Sequence, residues 1–544
     1  MANQRETTRL ASIIEAIWRR DASIFGAPTA LEPLLRDRYG WLDVATKMRT
    51  QISSLTKFRQ SLVANGKTHA VLLGMGGSSL AADVMRDAFG VQRDGLRVSI
   101  LDSTHPGAVV AMRTSHPPAS SVFVVASKSG TTTEPRCFQQ HFWDDAVTSS
   151  GAQAAQDAFV AITDPGSQLG DIAAKDGYRR TFVNPPDIGG RYSALSFFGL
   201  VPAALAGYDV DAILIGAEAA MERCQIAEVS SNPGARLGEF LAENAAVGRN
   251  KLTLICPAPF HGFGAWVEQL IAESLGKGGR GILPIASEPL AEPHRYGSDR
   301  VIVAIDPRHG RTDGALESSG GLDPALDAIA ASGTPVLRLA AQNPSDLGWL
   351  FFIWEFATTV AAAKLKIEPF DQPDVERAKV ETRRVLSEAA ATRTLTYPED
   401  VNVGSSSAAL ATAISAVDQA GYIAVQAYLQ PTEELNSSLA SLRGRLRSQT
   451  LRPVTIGYGP RFLHSTGQLH KGGPVGLCIQ LVDRPDPSEP PISGEWFGFG
   501  QLVAAQAIGD FEALRGLNRP VVRIRVPERN PAAAVDDILR LANA

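Results

Sequence analysis

The chain has 544 residues, 44% of them hydrophobic and 20% charged, with a formal net charge of −5. That is length for roughly three to four domains with ordinary globular cores, and it excludes the basic stripe of a nucleic-acid binder. No apolar run approaches the roughly 20 residues of a membrane helix, so no membrane association is expected.

The four cysteines, Cys137, Cys224, Cys256 and Cys478, lie far apart without metal-ligand pairing, which points to a reducing, cytoplasmic setting. The start, Met1-Ala2-Asn3-Gln4-Arg5-Glu6, is polar with no apolar core behind it, so no signal peptide is expected.

Residues 1–60 read as a helical cap, with Ile13, Ile14, Ala16, Ile17 and Trp18 forming an apolar stripe. Residues 61–225 alternate short β-branched runs (His69–Leu73, Arg97–Leu101, Ser121–Ala126, Ala158–Thr163, Arg180–Val183) with helical stretches. Such alternation predicts a doubly wound parallel sheet, whose ligands bind at the carboxyl ends of the strands. Residues 226–392 repeat the pattern with Lys251–Ile255, Gly281–Ile285, Arg300–Ile305 and Pro335–Leu339, then a long apolar helix near Leu347 to Ala363. Residues 393–544 read as a third α/β module, with strands at Val454–Gly457, Leu477–Val482 and Val521–Val526 and a proline-rich loop over Asp483–Pro491.

Two strands run directly into glycine- and hydroxyl-rich turns, Gly74-Met75-Gly76-Gly77-Ser78-Ser79 and Ser127-Lys128-Ser129-Gly130-Thr131-Thr132-Thr133-Glu134. Glycines admit an anion close to the backbone, and the N–H groups of the following helix face it. The second turn reads equally as a capped helix start with Glu134 in its first turn. Glu273 closes an amphipathic segment before Ser274-Leu275-Gly276-Lys277. Half buried, it is a candidate base; pointing to water, it is a helix-terminal acid. In Gly189-Gly190-Arg191-Tyr192-Ser193 the arginine either enters a cleft to hold an oxyanion or sits on a surface loop. His294 and Lys379 read by themselves as a solvated loop histidine and an exposed helical lysine.

Together these motifs resemble the glucose-6-phosphate isomerase family, built from two sugar-isomerase (SIS) domains. Both turns, the Gly189–Ser193 stretch, Ala272-Glu273-Ser274-Leu275-Gly276-Lys277 and Phe370-Asp371-Gln372-Pro373, with Val375, Glu376 and Lys379, stand in the family's order. Ser129-Gly130 is the form seen in other SIS domains. The resemblance extends to the isomerase half of bacterial transaldolase/glucose-6-phosphate isomerase fusions through Trp18–Phe25 and Gly457–Gly473; no transaldolase barrel is expected within these residues.

The fold implied is two SIS-type doubly wound parallel-sheet domains with an N-terminal helical cap and a C-terminal α/β module. The activity implied is interconversion of glucose 6-phosphate and fructose 6-phosphate through a cis-enediolate, without cofactor or metal. Gly76, Gly77, Ser78, Ser127, Lys128, Ser129, Thr131, Thr132, Gly190 and Gln372 would bind the sugar phosphate. Lys379 with His294 would open the ring, Glu273 would carry the proton between C2 and C1, and Arg191 would stabilise the enediolate. His294 is placed only by its distance beyond Glu273; His464 and His470 are rivals. The family's use of a neighbouring subunit's histidine implies a homodimer with a shared site. A glycine-rich loop with a buried histidine, such as Gly457–Lys471, reads as packing. The alternatives are an isomerase of another sugar phosphate and a non-enzymatic SIS sensor, which needs the anion turn but not Glu273, Arg191 or Lys379.

Overall fold

The computed structural model describes residues 2–308, 324–484, 489–527 and 529–541; the middle of the proline-rich loop, 485–488, lies outside them. The apolar runs become three parallel sheets. The first contains β1 (His69–Gly74), β2 (Arg97–Leu101), β3 (Ser121–Ala126), β4 (Phe159–Thr163) and β5 (Arg180–Val183), in the order β2-β1-β3-β4-β5. The second contains β6 (Lys251–Ile255), β7 (Leu283–Ile285), β8 (Arg300–Asp306) and β9 (Val336–Ala340), in the order β7-β6-β8-β9. The third contains β10 (Val401–Asn402), β11 (Ile423–Tyr428), β12 (Val454–Tyr458), β13 (Leu477–Val482) and β14 (Val521–Arg525), in the order β10-β14-β13-β11-β12. The sequence reading did not anticipate β10 and β11.

Helices cover both faces of the sheets, which is why the central strands are apolar without alternation. In β1, Ala70 and Leu72 enter one core while Val71 and Leu73 enter another. Each sheet is wound the same way, with β1 between β2 and β3, β6 between β7 and β8, and β11 between β12 and β13. Where the winding reverses, the loops after neighbouring strands diverge and leave a crevice. The two hydroxyl-rich turns follow β1 and β3, at the reversal of the first sheet.

The N-terminal helices close over the junction of the first two sheets. The Trp18 indole donates to Cys224 O at 2.9 Å and packs on Phe352 and Phe356. Those phenylalanines belong to the helix Leu347–Leu365, apolar around its whole circumference and buried along most of its length. No helix among the described residues is long and apolar enough to cross a membrane. The third module is clamped onto both others. Arg461 pairs with Asp83 at 2.7 Å and Asp102 at 2.9 Å, and His105 meets Asp483 at 3.0 Å. Arg443 donates to Ala286 O and Arg447 to Pro289 O.

Candidate active site

The turn after β3 is built for close approach. Gly130 has φ +74°, and a Cβ there would lie 2.2 Å from Leu169 N. Ser127 Oγ accepts the Gly130 N–H at 3.2 Å, and Ser129 Oγ accepts that of Thr131 at 3.2 Å. The helix Thr133–Ser150 then begins with Thr132 at its N-cap, and the Thr132 hydroxyl makes no capping bond. The helix-cap reading therefore fails at its central contact. The first-turn N–H groups are left for an anion.

Ser129, Thr131 and Thr132 line a cavity of about 170 Å³, with Lys379 and His464 on its other walls. Two residues of the motif stand elsewhere. Ser127 is buried and bracing Gly130. Lys128 is drawn to Asp164 and to Pro186 O, because the loop after β4 offers it a carboxylate.

The first glycine turn has a different task. A Cβ on Gly76, where φ is +53°, would come within 2.6 Å of His464 O, and one on Gly77 within 2.1 Å of Gly190 O. These glycines let three loops converge. They and Ser78 form no part of the cavity wall.

Arg191 is positioned by the turn Gly190–Tyr192 and is buried. Its guanidinium donates to Glu273 Oε2 at 3.0 Å, Ser274 Oγ at 2.9 Å and Gln372 Oε1 at 2.7 Å, and to the carbonyls of Pro369 and Asp371, both at 2.8 Å. Glu273 lies near the end of the helix Phe263–Leu275, covered rather than facing water. Packing over the helix end is tight, since a Cβ on Gly276 would meet Leu469 Cα at 2.7 Å. Burial pushes the Glu273 carboxyl above its ordinary value, and Arg191 and His464 offset part of that rise. The pair is linked to the cavity through Gln269, which donates to His464 O at 2.7 Å, and through Gln372, the N-cap of the helix Pro373–Ala389 that carries Lys379.

The histidines sort differently from the order in the chain. His294 is exposed in the short turn Pro293–Arg295 and is not on the cavity wall. His470 is buried against the Tyr422 hydroxyl at 2.9 Å and pushed down to about 3, chiefly by burial, so it stays neutral. His464 faces the cavity, and its Nε2 lies 2.9 Å from Glu134 Oε1. The Gly457–Lys471 stretch is thus more than packing. Glu134 also accepts from Gln506 Nε2 at 2.7 Å. Burial alone would raise the Glu134 carboxyl, but His464 and Lys379 outweigh it and hold it below the usual range.

Glu134, Gln506 and Arg383, which also lines the cavity, were not among the expected functional residues. Of these, Arg383 carried a signal: a cation one helical turn beyond Lys379 lies on the same face. Replacing Ser129 and Thr132 together by Ala is expected to raise KM for a sugar phosphate at least tenfold while changing kcat less than threefold, measured by steady-state kinetics.

Such a fold places a candidate ligand site at the reversal of a parallel sheet. A family model described as phosphoglucose isomerase matches residues 41–279. The glucose-6-phosphate isomerase of Rubrobacter xylanophilus is 28% identical over 389 residues, covering 64% of this chain and 89% of that relative. That of Listeria innocua is 31% identical over 288 residues, covering 47% of this chain and 63% of the relative. Among solved structures, a hypothetical protein from Thermus thermophilus shares the fold with a TM-score of 0.60 at 24% identity, over 70% of this chain and 96% of the other. A glucose-6-phosphate isomerase from Chlamydia trachomatis does so with a TM-score of 0.54 at 21% identity, over 63% and 74%. Over residues 41–279 the chain is thus similar to the phosphoglucose isomerase family.

Proposed function

We propose that the chain interconverts glucose 6-phosphate and fructose 6-phosphate, an aldose–ketose isomerisation of glycolysis and gluconeogenesis. The observation that carries this reading is the buried Glu273–Arg191 pair, linked to a cavity walled by hydroxyls, a helix N-terminus and Lys379.

The sugar's phosphate is held by Ser129, Thr131, Thr132 and the first-turn N–H groups. Substrate entry separates Glu273 from Arg191. The carboxylate takes the C2 proton of the open-chain aldose, and the electrons of that C–H bond form the C1=C2 double bond as O1 becomes an oxyanion. Arg191 donates to both oxygens of this cis-enediolate. The O2 proton passes to O1, Glu273 returns its proton to C1, and the ketose results. Nothing is oxidised or reduced overall, because a proton has moved from C2 to C1 and another from O2 to O1.

A sensor would need the anion turn alone. It would have no use for a buried carboxylate clamped by a guanidinium, which costs desolvation unless it is used or fully paired. The segment Gly457–Gly473 supports the finer reading that this is the isomerase half of a transaldolase fusion lineage.

The base must be ionised to act, and its carboxyl is raised by burial. Activity is therefore expected to fall as pH drops, with the acid limb of kcat/KM lying above the ordinary carboxylate value near 4.3. A pH–rate profile flat down to pH 4 would contradict this.

A further inference from the structure

We propose that the seam between the helix Phe263–Leu275 and the third sheet is a second ligand site, shaped for an uncharged polyhydroxyl compound of about monosaccharide size. The inference goes beyond the isomerase reading and does not rest on it.

The seam holds a cavity of about 190 Å³, slightly larger than the one of about 170 Å³ beside Lys379. The two cavities share one loop. Leu463 and His464 line the active-site cavity, whereas Arg461, Phe462 and Thr466 line this one. Gly457 in β12 lets that loop fold back over the strand, because a Cβ there would lie 2.8 Å from Phe462 Cβ.

Several polar groups on the wall lack protein partners. Gln426 is 1% exposed, yet its Oε1 accepts no hydrogen bond among the described residues, and its Nε2 has only Cys478 Sγ at 3.6 Å. A buried amide oxygen left bare costs the full desolvation of the group, so this one points to a ligand. Glu268 Oε1 accepts the Ala286 N–H at 2.8 Å, while Oε2 makes no hydrogen bond among the described residues. The Thr466 hydroxyl makes no capping bond to the helix Gly467–Gly472, and the buried Thr455 hydroxyl is also unpaired among the described residues.

The charges decide the class of ligand. Arg461 is already engaged by Asp83 at 2.7 Å and Asp102 at 2.9 Å. An anion such as a sugar phosphate would therefore meet Glu268 with no unpaired cation on the described wall. A cation would meet Arg461 and the nearby Arg443, and His470 on the same wall is neutral. Hydroxyls fit what remains, since each can donate to Gln426 Oε1 and exchange hydrogen bonds with the threonines. Burial pushes the Glu268 carboxyl up to about 7, and a hydroxyl can donate to its ionised form or accept from its neutral one. Leu80, Ala265 and Phe462 supply an apolar flank for the C–H groups of such a ligand. A ligand seated here braces the loop that presents His464 to the active-site cavity.

The probes are myo-inositol, D-glucose and D-fructose, followed by saturation-transfer NMR on the full chain. At least one is expected to bind with a roughly millimolar Kd, usual for uncharged ligands of about twelve heavy atoms, and to stay bound under saturating sorbitol 6-phosphate. Gln426→Leu combined with Thr455→Val is expected to weaken that binding at least tenfold while isomerase activity changes less than twofold. Should the pair fail to fold by circular dichroism, Thr466→Val alone is expected to weaken binding at least threefold.

Displacement by sorbitol 6-phosphate would place the probe in the active-site cavity, and binding undiminished in the variants would place it elsewhere; either overturns the inference. Failure of all three probes to bind does so too, leaving a cavity filled by water. Binding that meets these expectations in a protein without isomerase activity would sink the isomerase reading and leave this one standing.

Discussion

Glu273→Gln is expected to lower kcat for fructose 6-phosphate about 10²–10⁴-fold, the range for removing a positioned general base. Affinity for sorbitol 6-phosphate, an open-chain polyol without a carbonyl, should change less than threefold. The amide fills the same volume and still faces Arg191, so the fold is kept while the proton acceptor is lost. Activity within tenfold of the parent would remove Glu273 from the role of base. Equal losses in turnover and in sorbitol 6-phosphate binding would show that the residue matters for the shape of the pocket instead.

The second large effect is expected at Arg191. Lysine keeps the charge but cannot reproduce a planar fork that reaches Glu273, Ser274, Gln372 and two carbonyls together. Arg191→Lys should lower kcat about 10²–10³-fold, as for the loss of an oxyanion donor. It should also destabilise the fold by about 3 kcal/mol, because buried acceptors are left unpaired. Urea unfolding reads the second effect and coupled kinetics the first. A variant as stable as the parent would mean the loop Pro369–Asp371 does not depend on this guanidinium.

The strands of the first two sheets could be read from the sequence because they are short, continuous and rich in Val, Ile and Leu, with turn residues at their ends. β11 escaped because alanines and Gln426 dilute it, although Gln426 is buried in the centre of the third sheet. The turn Ser127–Thr132 was recognisable as an anion site, but the fate of Lys128 depended on Asp164 from the loop after β4. Glu134 was read as a first-turn acid favoured by the helix dipole. Its partners His464 and Gln506 lie 330 and 372 residues away along the chain, where no local pattern can announce them. His294 stands on an exposed turn outside the cavity wall of its own chain, a placement that a fixed spacing in sequence could not announce. Glu273 could be named from its motif, but the tight packing at the end of its helix could not, because the Leu469 that meets Gly276 comes from the third module.

The most direct test of the account is conversion of fructose 6-phosphate by the purified protein in deuterium oxide, followed by NMR of the glucose 6-phosphate formed. Proton transfer through Glu273 predicts product carrying some deuterium at C2, to the extent that the protonated carboxyl exchanges with solvent before it reprotonates the enediolate, and no product from Glu273→Gln. Undiminished product from Glu273→Gln with no deuterium at C2 would contradict proton transfer through this carboxylate, and the absence of any product from the parent protein would contradict the isomerase assignment itself.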